Sequence, residues 1–216
     1  VKKFAILSTV MLLGAALPVH AQRQAPLQPT EDPRPMQALD PIEGPAPVEA
    51  RQTVARYGAC VADHSPEKAR AVLLLDFHSG QYRTGLRALS DNNRGCFGRR
   101  GKMRSDPVLF AGAIAERLLE RGDGVLKARL ARAAAGAAPA TFGPSDALAQ
   151  CVVRSVPDDV DALLAAEVAT DAEANALRAL DLVAKQCGQG RQVDISAGGM
   201  RAILAASAFR NVEALK

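Results

Sequence analysis

Cys60 and Cys151 are each followed 36 positions later by another cysteine, Cys96 and Cys187, and a shift of 91 residues lays the first pair on the second. The same ungapped shift puts Pro66 on Pro157, Leu86-Arg87-Ala88-Leu89 on Leu177-Arg178-Ala179-Leu180, and Ser105 on Ser196. This spacing predicts an internal duplication in which two copies of one unit share cap positions, apolar positions and cysteines. No constellation of reactive side chains repeats with them, so what recurs is a scaffold.

The repeated unit reads as helix. Ala, Leu and Arg dominate, Trp is absent, and no run alternates apolar and polar residues as a half-buried strand does. The first helix is expected from Pro47 to Asp63, and the second from Ser65 as N-cap with Pro66 at the first helical position. Pro157, with Asp158 and Asp159, opens the matching helix of the second copy. Thr170 and Glu173 have capping-box spacing, and Leu177, Leu180, Ala184 and Cys187 follow on one face. A fourth helix is expected from Ser105-Asp106-Pro107, carrying Phe110, Ile114 and Leu118 and ending at Gly122 as its cap. Its counterpart starts at Ser196 and carries Met200, Ile203, Leu204 and Ser207. The expected fold is all-α: two small bundles of about four helices each, packed about a pseudo-two-fold.

Boundaries follow from composition. Lys2-Lys3, the apolar run Phe4 to Leu17 and Val19-His20-Ala21 read as a secretory signal peptide over 1–21. The run is shorter than the roughly 18–20 residues that span a bilayer, so no transmembrane segment is expected in the mature chain. Residues 22–47 carry Pro26, Pro29, Pro33, Pro35, Pro41, Pro45 and Pro47 and read as a disordered tether. The first repeat then covers 48–126, the second repeat 144–216, and between them the Ala-rich linker 127–143 reads as a short helical piece that breaks at Gly136, Pro139, Gly143 and Pro144. Val1 reads as an alternative bacterial start codon, and export places the protein in the periplasm or outside the cell. There an even number of cysteines without metal-type spacing points to disulfides. Modularity favours Cys60 with Cys96 and Cys151 with Cys187, although four cysteines allow three connectivities.

Catalytic and cofactor chemistry finds little support. Short-spaced zinc ligands and a two-residue-spaced thiol pair are both missing. His78 beside Ser79 lacks a nucleophile elbow, Gly-rich phosphate loops are absent, and Arg121-Gly122-Asp123 has a sufficient explanation in a helix cap. No metal, cofactor or catalytic set is therefore expected. A competing reading is an envelope enzyme with a site between the repeats, using His64, His78, Asp76 or Glu167; another is an inhibitor of an exported enzyme.

Charge gives the functional signal. Residues 48–132 hold 16 Lys plus Arg against 9 Asp plus Glu, whereas 143–216 hold 7 against 10. The excess gathers near the second cysteine as Arg94, Arg99, Arg100, Lys102 and Arg104. The expectation is a non-catalytic, exported binding module whose basic loop contacts an anionic envelope component or exported protein, rather than nucleic acid.

Overall fold

The computed structural model describes residues 47–97, 106–189 and 195–216. Among them the protein is all-helical, with nine α-helices, one short 3-10 turn at Arg94–Cys96 and no strand. The expected leader, nearly all of the tether, and Arg99, Arg100, Lys102 and Arg104 lie outside the described residues. No described helix is long and apolar enough to cross a membrane.

Helices α1 (Val48–His64), α2 (Pro66–Leu73), α3 (Gly80–Asn92) and α4 (Pro107–Glu120) make up the first half; α6 (Pro144–Ser155), α7 (Pro157–Ala165), α8 (Asp171–Cys187) and α9 (Ala197–Glu213) make up the second. The starts of α2 and α7, and of α3 and α8, stand 91 positions apart, and those of α4 and α9 differ from that spacing by one. Caps explain several starts. The side chains of Ser79, Asp106, Thr170 and Ser196 each accept a first-turn backbone N–H. Proline, whose missing N–H is unneeded there, opens α2, α4, α6 and α7.

The architecture is built on α4 and α9, which pack against each other, with α1 along α4 and α6 along α9. Buried residues from both halves join one hydrophobic core. Helix α9 is buried on nearly every side, including Arg201, Ser207, Arg210 and Asn211, so its polar side chains must find partners inside the protein. Close approach of the central pair requires glycine: a Cβ on Gly112 would lie 2.5 Å from both Cα and Cβ of Ala202. Gly112→Ala is expected to destabilise by about 1–3 kcal/mol through overpacking, seen as a lower urea midpoint. An unchanged midpoint would show that the two helices separate without loss.

Between the halves, α5 (Leu126–Ala135) buries Leu130 and Ala133 in the core and packs on α6, α7 and α9. It is the helical piece at the start of the segment expected to break into a linker. Arg154 donates to the carbonyls of Ala133, Ala134 and Gly136, at 2.7–2.8 Å, and so satisfies the C-terminal end of α5. The end of α4 corrects an expectation. Gly122 does not take the left-handed cap conformation, which falls instead on Gly124 at φ 77°. Gly122 is small for another reason: a Cβ there would collide with the guanidinium of buried Arg129, which donates to the Leu119 carbonyl.

Candidate functional site

Two disulfides hold the outer helices. Cys60 of α1 is joined to Cys96, just past α3, and Cys151 of α6 is joined to Cys187 at the end of α8. The two bridged helix pairs are supported unequally, however. Helix α8 packs along both α6 and α7, whereas α3 packs chiefly on α2. The attachment of α3 to α1 is concentrated at its C-terminal end. There Tyr57 Oη meets Ser90 Oγ at 3.0 Å, and Asn93 Nδ2 donates to Ser65 Oγ at 3.1 Å.

The remainder of α3 stands off from the central helices and leaves a cavity of about 610 Å³. This lies within the range of roughly 300–1,000 Å³ common for small-molecule sites. Leu73, Leu75, Phe77, Leu86, Phe110 and Ile203 give it an apolar lining. On one side Phe77 meets Phe142 edge-on, with ring centroids 6.0 Å apart.

The polar groups are few and specific. Arg210 Nη1 donates to Asp146 Oδ2 at 2.7 Å, and the same carboxylate oxygen accepts the Phe142 N–H at 3.0 Å. Arg210 also lies over the Phe142 ring, 4.4 Å from its centroid. This pair is internally neutral. Burial pushes the Tyr82 phenol up to about 12, against the opposing pull of Arg210. Tyr82 therefore lines the cavity as a neutral O–H group, and its hydroxyl makes no hydrogen bond among the described residues. Arg83 and Arg87, one helical turn apart on α3, complete the charged lining. Arg83 donates one N–H to the His78 carbonyl at 2.9 Å, and Arg87 has no ion-pair partner among the described residues. With Asp146 offset by Arg210, the lining carries two further positive charges.

The 91-residue shift leads from this cavity to a second, much smaller one of about 40 Å³. Phe77 maps to Val168, Pro107 to Gly198 and Phe110 to Arg201; in the reverse direction Ser145 maps to Val54 and Asp146 to Ala55. Charge fills the smaller space. Arg201 clasps Glu116 through two hydrogen bonds of 2.9 and 2.7 Å and reaches Glu173 at 3.3 Å. Glu173 also accepts from Arg51 at 2.7 Å. At the corresponding places beside the large cavity stand Phe110 and Tyr82.

Glu173 corrects the simple capping-box expectation. Thr170 Oγ1 accepts the Glu173 N–H as expected, but the Glu173 carboxylate accepts from Ala169 N–H at 2.9 Å and from two distant arginines. Sequence reasoning placed it only as a cap. A signal was available: Tyr82 aligns with Glu173 and Phe110 with Arg201, two apolar-to-charged exchanges of opposite sign.

The other candidates separate. His64, His78, Asp76 and Glu167 are all exposed, and no two of their side chains hydrogen-bond to each other among the described residues. Asp76 instead accepts the backbone N–H of His78 at 2.8 Å. His64 Nδ1 lies 2.8 Å from the Cys60 carbonyl oxygen and 3.5 and 3.8 Å from the sulfurs of Cys60 and Cys96. Those three residues have metal-ligand atom types close together, but both sulfurs are engaged in the disulfide and offer no thiolate. The i,i+4 spacing of Cys60 and His64 on α1 was the sequence signal for this contact; its counterpart in the second half is Ser155. Arg94 is exposed and pairs with Asp91 at 3.1 Å. The remaining basic residues of its cluster, Arg99, Arg100, Lys102 and Arg104, are outside the described residues.

Comparison of the chain with protein-family models, with curated proteins and with solved structures finds no match.

Proposed function

We propose that this protein is an exported, non-catalytic binding module, formed by duplication of one helical unit, and that the large cavity is its ligand seat. The observation that carries the reading is the cavity itself: a mainly apolar lining with a few convergent polar groups, the usual composition of a small-ligand site. The paired cavities support duplication followed by divergence. One copy's space is narrowed by Arg201, Glu116 and Arg51, while the other remains open.

Export to the periplasm or beyond is supported by the two disulfides and by the leader-like start of the sequence. The basic residues from Arg94 to Arg104 precede the cavity-lining Pro107 in sequence, which suits an anionic partner approaching this half of the protein. An enzymatic site using His64, His78, Asp76 and Glu167 gains no such support.

The test is titration with an apolar, environment-sensitive fluorophore. The protein is expected to bind it saturably with one site, and Ala206→Phe, which places a ring in the cavity, is expected to weaken binding at least tenfold with unchanged helical circular dichroism. Equal binding by this variant, or no saturable binding by either protein, would overturn the cavity reading.

A further inference from the structure

We infer that the ligand is a single-chain acyl carboxylate, with its tail among Leu73, Leu86, Phe110 and Ile203 and its headgroup at Arg83 and Arg87. This rests on the cavity being the ligand seat and names the chemistry of what it takes.

The tail follows from the lining. Aliphatic and aromatic side chains from α2, α3, α4 and α9 surround one continuous space of about 610 Å³. That is ample for one alkyl chain and small for the paired chains of a diacyl lipid. Burying methylene groups there gives a gain at each carbon, so affinity should rise roughly three- to fourfold per methylene until the cavity is full.

The headgroup follows from charge. Asp146 is already neutralised by Arg210, which holds its Oδ2 at 2.7 Å, so the pair offers a cationic ligand group no net negative charge. Arg83 and Arg87 leave the lining with a net excess of two positive charges. Both project from one side of α3, a turn apart, and guanidinium groups match the planar, two-oxygen face of a carboxylate. Tyr82, on the same helix and one position before Arg83, supplies a neutral hydroxyl lining the same space. A zwitterionic or cationic amphiphile meets no such complement.

The experiment uses the full chain and displacement of the bound fluorophore by straight-chain fatty acids of eight to sixteen carbons, in parallel with the alcohols of equal length. Fatty acids are expected to bind at least tenfold more tightly than the matched alcohols. Arg87→Ala, and the pair Arg83→Ala with Arg87→Ala, should remove most of that margin, lowering acid affinity far more than alcohol affinity. Both arginines are exposed, so the variants keep the fold; Arg87→Lys, which retains charge without the fork, should recover part of the margin.

If alcohols and acids bind equally, or an alkyl sulfate binds more tightly than the acid of equal length, the carboxylate assignment is overturned and the cavity remains the ligand seat. If neither acids nor alcohols displace a fluorophore whose binding Ala206→Phe weakens, the acyl assignment falls and the cavity remains the ligand seat; if Ala206→Phe binds the fluorophore as wild type does, both readings fall.

Discussion

Arg201→Ala is expected to lower the unfolding free energy by about 3–5 kcal/mol, the scale for breaking one partner out of a buried ion pair. Arg201 is only 4% exposed. Besides clasping Glu116 and reaching Glu173, it donates to the carbonyls of Leu163, Ala166 and Leu164 at 2.9–3.3 Å. Those carbonyls belong to the C-terminal end of α7, where a cation also complements the helix dipole. Alanine would leave Glu116 without an ion-pair partner among the described residues and Glu173 with Arg51 alone, and would orphan the end of α7. The effect carries a pH signature. Burial already pushes Glu116 above its ordinary 4.5, and Arg201 opposes that rise; removing the guanidinium raises it further. A carboxyl raised in the folded state takes up a proton on folding, so the deficit should be full above that raised value and shrink as pH falls through it. Urea denaturation at several pH values tests this. Glu116→Gln in the Arg201→Ala background should return part of the loss at neutral pH. A pH-independent deficit, or one below about 1 kcal/mol, would show that water solvates the carboxylates.

The same residues show where sequence reasoning stops. Pro66, Pro107, Pro157 and Thr170 marked helix starts because proline and cap chemistry act within one turn, and the structure begins α2, α4, α7 and α8 beside them. Leu180 was legible as core because helical period aligned it with other apolar residues, and it is 1% exposed. Glu173 was legible only as a cap: its carboxylate bonds span 28 residues to Arg201 and 122 to Arg51, and nothing local encodes them. The burial of Arg201, Arg210 and Asn211 was hidden for a related reason. A helix surrounded by others has no solvent face to which its polar side chains are confined. The cavity was least legible, because it arises from a distance between helices rather than from a pattern along one. Phe110 read as part of an apolar helix face and Leu86 as a repeated apolar position; both are buried, while also lining open space.

Removing the two disulfides separately should give equal losses of stability and unequal losses of binding. Each bridge spans 36 residues, so in the chain-entropy model each contributes roughly 3–4 kcal/mol. Cys60→Ser with Cys96→Ser and Cys151→Ser with Cys187→Ser should therefore shift urea unfolding by similar amounts. What each bridge restrains differs. Helix α8 keeps its packing on α6 and α7, and its first turn stays anchored through Glu173, when Cys187 is released. Helix α3 packs chiefly on α2, and without Cys96 its C-terminal end is held toward α1 by Tyr57 with Ser90, by Asn93 with Ser65 just past α1, and by the Tyr57–Phe97 ring contact. Since α3 carries Tyr82, Arg83, Leu86 and Arg87 along the cavity wall, its release should open the seat. Amide exchange across Gly80–Asn92 should quicken and fluorophore affinity should fall at least tenfold in the first variant, with both near wild type in the second. Equal protection of Gly80–Asn92 in both variants would show that the remaining contacts suffice to hold α3, and that the first disulfide stabilises the fold without shaping the cavity.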